Sequence, residues 1–223
     1  MKISKFWKLY PKKNKNFKKI YLKRKKVSLK NIKKLQKFGK EYFDGIRDHG
    51  YGGYYYNKKF FRKIVKTMIK HYKLDNNSKI LDIGCAKGFM MYDFKYFLPK
   101  AEIKGIDISS YCKRNALPSV KKDILVGNCK RLPFKNNYFD FVIAISTIHN
   151  LSEKDIPKSI LEIQRVKKEN GKSFLIVKGY KNKKEKKKIE DWNVAAKSNI
   201  SIKKWKTFFK KSKYKGDFDF SNY

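Results

Sequence analysis

The 223-residue sequence lacks several features that would assign it to common protein classes. Its three cysteines, Cys85, Cys112 and Cys129, are odd in number and form no CxxC pair, which argues against a disulfide framework and a zinc site. No apolar run approaches the about 18 residues that a membrane span needs, and the N-terminus has no apolar core of a secretory signal. We therefore expect a protein of the cytoplasm with no transmembrane segment and no bound metal.

Negative charge is also scarce, and the formal net charge is +39. Such a charge is typical of nucleic-acid-binding proteins. However, only six of the 58 basic residues are arginine, whose planar side chain suits phosphates and bases. The abundant Lys, Asn, Ile, Phe and Tyr all have A/T-rich codons, so we favour genome composition as the origin of the charge. RNA remains an open partner.

Charge and hydrophobic pattern divide the chain into three parts. Residues 1–40 carry seventeen Lys or Arg and no acid, which is typical of a solvated, flexible extension. Residues 41–78 form a helical or lid segment, in which NKKFFRKIVKTMIKHY places apolar residues on one helical face. These residues are Phe60, Phe61, Ile64, Val65, Met68 and Ile69. Residues 79–223 form the third part, a single domain.

Strand-like and helix-like runs alternate in this domain. The predicted strands are Ile80–Ile83, Ile103–Asp107, Ile124–Val126, Phe139–Ile145 and Phe174–Val177. Helices are predicted near 88–97, 109–116 and 154–168, the last with SEKD at its start and Asn170-Gly171 as its stop. A short strand, a helix around Trp205 and a closing strand end the chain. This order predicts an α/β fold with a mostly parallel sheet, helices on both faces, and a ligand at the carboxyl ends of the strands.

The stretch ILDIGCAKGFM, residues 80–90, joins a strand to a helix through a loop of small residues. The loop fits neither the P-loop nor the dinucleotide fingerprint. Asp82 at its start would repel a pyrophosphate but suits a cationic group. The next strand ends in Asp107, 19 residues past Gly88, where a carboxylate can accept both hydrogen bonds of a ribose diol. The ligand is therefore expected to contain a ribose and no phosphate at the loop.

Four stretches carry a family resemblance. ILDIGCAKGF, GIDIS, GNCKRLPFKNNYFDFVIAISTIHNL and ENGKSFLIV resemble motifs I to V, in order and spacing, of the class I S-adenosylmethionine-dependent methyltransferases. The resemblance covers about residues 60 to 180 and implies a Rossmann-like fold with S-adenosyl-L-methionine as cofactor. GKEYFDGIRDHGYGGYYY is similar to a methyltransferase type 11-like subgroup of bacterial sugar and surface-polysaccharide clusters. Two residues depart from the pattern: Ala86 replaces a glycine, and Asn128 replaces an aspartate that often binds the adenine amine.

The resemblance also implies cofactor contacts. Asp82, Gly84 and Gly88 would shape the loop around the methionine part of the cofactor. Asp107 would hold the ribose and Ile108 would pack on the adenine. The full implied set is Asp82, Gly84, Cys85, Ala86, Gly88, Asp107, Ile108, Asn128, Cys129 and Ser146. The three cysteines are interpreted as small packing residues and not as nucleophiles.

The acceptor side is less determined. Ser146-Thr147-Ile148-His149 differs from the [ND]-P-P-[YF] motif of amino-methylating enzymes, and no cysteine nucleophile stands there. His149 is the candidate base, because its usual pKa of about 6.5 suits proton removal near neutrality; the alternative is a structural histidine. The segment RDHGYGGYYY is either a lid or a glycine-rich turn with core tyrosines. Its candidate substrate or lid residues are Asp44, His49, Tyr51 and Tyr54.

These features predict a methyltransferase that acts on a hydroxyl or amine of a small-molecule substrate such as a sugar or nucleotide-sugar. The alternative is an RNA methyltransferase that holds its substrate with the basic N-terminal tail. A third hypothesis is a cofactor-binding protein without catalytic activity. The oligomeric state is left open.

Overall fold

The computed structural model describes residues 27–221. The flexibility predicted for the start of the chain, residues 1–26, lies outside the described residues, as does the side chain of Phe60. Helix α1 (Leu29–Leu35) begins at Ser28, whose hydroxyl accepts the backbone N–H of Asn31. A short helix α2 (Lys40–Phe43) follows. The basic sequence therefore becomes helical before residue 40.

Helix α3 (Lys58–Tyr72) confirms the helix predicted from its apolar periodicity. Its N-terminal cap is Asn57, whose side chain accepts the N–H of Lys59 at 3.0 Å, and it ends at Lys73 in a left-handed conformation. Of the predicted inner face, Phe61, Ile64, Val65 and Met68 are buried, and Ile69 is half-buried. This face packs in one core cluster with residues of the sheet, so α3 is held against the sheet.

A single sheet of six strands organises the described part of the chain. Its strands are β1 (Lys79–Ile83), β2 (Glu102–Asp107), β3 (Ile124–Val126), β4 (Phe139–Ile145), β5 (Lys167–Val177) and β6 (Asp217–Phe220). Their order is β3-β2-β1-β4-β5-β6, and every neighbouring pair is parallel. The predicted parallel sheet is therefore confirmed. The order reverses direction between β1 and β4, and this is the point where α/β sheets open a ligand crevice.

Helices cover both faces of the sheet, as predicted. They are α4 (Phe89–Phe97), α5 (Ser110–Arg114), α6 (Pro118–Lys121), a 3-10 helix (Ile148–Asn150), α7 (Ile156–Val166), α8 (Lys183–Trp192) and α9 (Ile202–Lys211). One core layer includes Met91 and Phe94 of α4, and the other includes Ile160 of α7 and Trp205 of α9. Because both faces are covered, β4 is an almost continuous apolar run.

The predicted helix stop at Asn170-Gly171 is wrong. Helix α7 ends at Val166, and β5 begins at once with Lys167 in an extended conformation. Phe139 of β4 pairs with Lys167 whereas Phe141 pairs with Lys172, so the Asn-Gly pair belongs to a bulge in β5. The Lys167 ammonium donates to carbonyls of this bulge, including that of Gly171 at 3.2 Å.

The C-terminal part differs from the prediction in one element. The helix around Trp205 and the closing strand are present as α9 and β6. The short strand predicted before them is reduced to one parallel bridge between Tyr180 and Ser201. None of the helices in residues 27–221 combines the length and apolar character that a bilayer crossing requires.

Candidate active site

An open cleft of about 990 Å³, counting the part open to solvent, lies at the carboxyl ends of β1, β2 and β4. Seven of the ten predicted cofactor residues line it, namely Gly84, Ala86, Asp107, Ile108, Asn128, Cys129 and Ser146. The other three do not line the cleft: Asp82 belongs to β1, and Cys85 and Gly88 belong to the loop that follows it. The cleft is therefore where the sequence motifs converge.

The glycine loop, residues 84–88, follows β1 and needs its two glycines for steric reasons. Gly84 has a φ of +75°, and a Cβ there would lie 2.1 Å from Oγ1 of Thr147. Gly88 has a φ of +76°, and its Cβ would lie 2.8 Å from a methyl group of Val120. Ala86 has a φ of 48°, so it keeps the left-handed conformation for which glycine is favoured.

Asp107 fastens the glycine loop to the end of β2. One carboxylate oxygen accepts the N–H of Ala86 and the other accepts the N–H of Ser109, both at 2.8 Å. Burial raises the pKa of Asp107 above its usual value, although these two hydrogen bonds act in the opposite direction. Each carboxylate oxygen retains a further lone pair. Asp107 lines the cleft, so these lone pairs are suited to a diol.

Asp82 and Cys85 lie behind the cleft surface. Asp82 is only 4% exposed, and burial, together with the nearby Asp107 carboxylate, raises its pKa to about 7. Cys85 packs against β2, because a Cβ at Gly105 would lie 2.7 Å from its sulfur. Burial raises the pKa of the Cys85 thiol well above its usual value. A thiol that holds its proton so firmly is a poor nucleophile, in keeping with a packing role.

The wall beyond Asp107 combines an apolar face with polar groups. Ile108 is 52% exposed although it is apolar, and it lines the cleft where a flat ring could pack. Asn128 also lines the cleft, and its side-chain oxygen accepts the N–H of Lys130 at 3.0 Å. Cys129, between Asn128 and Lys130 in the chain, is buried. This wall presents the groups that the family resemblance implies for an adenine.

Five aromatic residues of the N-terminal segment also line the cleft. This aromatic cap consists of Phe38, Tyr42, Phe43, Tyr51 and Tyr54. Phe43 and Tyr51 stack with centroids 5.7 Å apart, and Tyr54 stacks on Phe89 of α4 at 4.9 Å. Burial of the Tyr51 hydroxyl, together with the nearby Cys112 and Asp107, raises its pKa to about 12. Tyr51 and Tyr54 therefore occupy the wall that the sequence predicted for them.

Asp44 and His49, the other two candidate lid residues, do not line the cleft. Asp44 accepts hydrogen bonds from the Lys87 ammonium at 2.7 Å and from the Tyr111 hydroxyl at 2.6 Å. His49 lies with its Nδ1 atom 3.9 Å from a carboxylate oxygen of Glu41. Asp44 therefore joins the lid segment to the glycine loop and α5, whereas His49 lies beside a group of the lid segment.

His149, the candidate base, lies in the 3-10 helix after β4 and is only 4% exposed. Its Nδ1 atom has no hydrogen-bond partner among the described residues. Burial, with the Lys178 charge nearby, lowers its pKa well below 6.5, so the ring is neutral. Thr147 and Asn150 line the cleft whereas His149 does not. Its role as a base stays a prediction.

Sequence reasoning misses several residues at this site, among them Thr147 and Lys87. Thr147 packs over Gly84, and its hydroxyl donates to the carbonyl of Ile83 or Ile145; the need for a glycine opposite it is the one feature that indicates the contact. Lys87 is buried within the glycine loop, but one more lysine in so basic a sequence is not distinctive. In residues 27–221 no group of His, Cys, Asp and Glu could hold a metal ion.

Residues 81–175 match the family model described as a methyltransferase domain. This range contains the glycine loop, Asp107, Asn128 and most of the sheet. A Methanocaldococcus jannaschii protein described as uncharacterized is 31% identical over 59% of this chain and 48% of its own length. The family match agrees with the motif resemblance, and the aromatic cap lies outside the matched residues 81–175.

Two of the relatives with named activities are O-methyltransferases. A malonyl-[acyl-carrier protein] O-methyltransferase of Legionella pneumophila is 31% identical over 42% of this chain and 34% of its own length. A tRNA (carboxymethyluridine(34)-5-O)-methyltransferase of Arabidopsis thaliana is 29% identical over 65% of this chain and 34% of its own length. The chain thus spans a third to a half of the length of these three curated relatives.

A solved structure supports the fold assignment. The YcgJ protein of Bacillus subtilis superimposes with a TM-score of 0.56 at 21% identity, over 66% of each chain. With the sheet order and the glycine loop at the switch point, this similarity defines the fold. The protein has the Rossmann-like fold of the class I methyltransferases.

Proposed function

We propose that this protein transfers the methyl group of S-adenosyl-L-methionine to a hydroxyl or amine of a small metabolite, such as a sugar. The observation that carries the proposal is the convergence of Asp107, the glycine loop and the aromatic cap on one cleft. The cleft fits a nucleoside with a cationic side arm. It offers a carboxylate suited to a diol, an apolar face, and a loop that matches neither phosphate-binding sequence pattern.

The residues of the cleft fit the cofactor part by part. Asp107 would accept the hydrogen bonds of the ribose hydroxyls, while Ile108 and Asn128 would contact the face and the edge of the adenine. Asp82, behind the glycine loop, would compensate the positive charge of the methionine part. A bound sulfonium supplies a methyl group with a good leaving group. The protein then has to align the acceptor with the methyl group and exclude water, which suits the aromatic cap.

A hydroxyl or ammonium acceptor must also lose a proton. His149 remains the proposed base because of its place in the 3-10 helix directly after β4; its imidazole is neutral, but burial and the nearby Lys178 charge lower its pKa and so make it a weak base. Its neighbours Thr147 and Asn150 line the cleft and would contact the acceptor. This assignment requires that the acceptor bind next to the 3-10 helix.

Two relatives are named O-methyltransferases, one of a malonyl group on a carrier protein and the other of a tRNA, and they favour an oxygen acceptor. A further relative is named a sterol 4-C-methyltransferase, so the relatives differ in both the acceptor atom and its carrier. RNA is therefore the second candidate acceptor. The net charge of +39 and the two lysines that line the cleft, Lys130 and Lys197, favour an anionic partner.

Methyl transfer from radiolabelled S-adenosyl-L-methionine into a cell extract tests the proposal. The extract is separated into RNA and small-molecule fractions, and the Asp82→Ala variant serves as the blank. We expect label in the small-molecule fraction. Label confined to RNA would show that RNA, and not a small metabolite, is the acceptor. The absence of label from both fractions would contradict methyl transfer.

A further inference from the structure

The side chain of Lys87, in the glycine loop, is buried and points away from solvent. The residue is only 7% exposed, which is unusual for a lysine. Its ammonium donates to both carboxylate oxygens of Asp44, at 2.7 and 3.0 Å, and to the backbone carbonyl of Tyr54 at 2.8 Å. An ammonium has three hydrogens, so these contacts satisfy it completely.

The Asp44 carboxylate accepts hydrogen bonds from the glycine loop, α5 and the aromatic cap. Besides Lys87, it accepts the hydroxyl of Tyr111 in α5 at 2.6 Å and the backbone N–H of Tyr54 at 2.9 Å. Burial alone would raise its pKa, but the hydrogen bonds from Lys87 and Tyr111 outweigh burial and hold the pKa below its usual value. The Asp44 carboxylate is therefore ionised at neutral pH.

This network fixes the aromatic cap to the glycine loop. Tyr54 is bound through both its N–H and its carbonyl, and its ring packs against Tyr51 at 4.6 Å and against Phe43 at 5.5 Å. All three rings line the cleft. Gly84 and Ala86 of the glycine loop line the same cleft. A cofactor in the cleft would contact both parts that Lys87 joins.

We propose that Lys87 is a positioning residue that couples the glycine loop to the aromatic cap, so that the Lys87–Asp44 pair sets the affinity for the cofactor. The inference rests on the proposed function, in that it takes the cleft to hold S-adenosyl-L-methionine. Lys87 itself acts through Asp44 and Tyr54 and not by contact with the methyl group.

Calorimetric titration with S-adenosyl-L-methionine tests the coupling without knowledge of the acceptor. We expect Lys87→Met and Asp44→Asn each to raise the dissociation constant for the cofactor about tenfold. We expect the double variant to be no weaker than either single variant, because both remove the same connection. Lys87→Arg, which keeps the charge, should restore much of the affinity. A purely structural role would not produce this rescue.

Lys104→Met is the matched control, because Lys104 pairs with Asp123 at 2.8 Å and neither residue lines the cleft. It should leave the affinity unchanged. Thermal unfolding of every variant confirms that the fold persists. Wild-type affinity in a folded Lys87→Met variant, or additive losses in the double variant, would overturn the coupling alone. A wild-type protein that does not bind the cofactor would overturn the proposed function as well.

Discussion

Asp82 is a carboxylate that the fold buries at a cost. Its pKa of about 7 in the folded protein lies above the about 3.9 of an unfolded chain. Between these values the folded state binds more protons than the unfolded state, so the free energy of unfolding falls as the pH rises from about 4 to about 7. A carboxylate kept at such a cost directly behind a cleft is a candidate for a role in ligand binding.

Asp82→Asn should therefore stabilise the unliganded protein at high pH only. We expect the variant to exceed the wild type by about 4 kcal/mol at pH 8 and to match it near pH 4. Thermal unfolding of both proteins over this pH range measures the difference. A constant difference at all pH values would show that ionisation of Asp82 is not the cause.

Ala86 carries backbone strain, because its φ of 48° is left-handed. Ala86→Gly removes the clash of the Cβ atom, and we expect a gain of about 1 kcal/mol in the free energy of unfolding with cofactor binding retained. Ala144→Gly, in the buried strand β4, is the control and should lose stability. Denaturant unfolding measures both, and a loss in Ala86→Gly would contradict the strain.

At the scale of elements, the glycine loop depends on close packing against the loop after β4. Gly84→Ala would place a Cβ 2.1 Å from the Thr147 hydroxyl, so we expect a loss of about 3 kcal/mol in stability and loss of cofactor binding. Gly39 has no heavy atom within 4 Å of an added Cβ, so Gly39→Ala should stay within about 1 kcal/mol of the wild type. Equal stabilities for the two variants would contradict this packing.

The strands could be predicted because each interior strand is a run of buried apolar residues. β3 and β4 have the predicted bounds. β5 starts seven residues earlier than predicted, at Lys167 instead of Phe174, because a bulge stabilised by a lysine has no apolar pattern. Helix α8 was not predicted, since Ile189 is its only buried residue and its lysines and acids show no apolar periodicity.

The predicted cofactor residues cluster because parallel strands end at one edge of the sheet. Asp107 and the glycine loop could therefore be placed together from the sequence. The partners of Asp44 could not, because its contacts with Lys87 and Tyr111 join positions 43 and 67 residues apart. His149 follows β4 as predicted, but the turn of the 3-10 helix buries its ring. The orientation of these side chains depends on tertiary packing, which the local sequence pattern does not indicate.

At the scale of the whole molecule, the net charge of +39 is the property that separates the two acceptor classes. Contacts with RNA phosphates release counterions, so activity on RNA would fall by about 10³-fold or more between 50 and 200 mM salt. We expect the methyl transfer activity in extract to change less than about threefold over this range. Loss of activity with a steep salt slope would favour the RNA acceptor.

The central claim is that the cleft holds S-adenosyl-L-methionine through Asp107, and calorimetric titration tests it most directly. We expect one cofactor to bind per chain, and Asp107→Ala to weaken binding at least about tenfold while Asp123→Ala, which removes a carboxylate outside the cleft, leaves it unchanged. No binding to the wild type, or equal binding to Asp107→Ala, would contradict the claim.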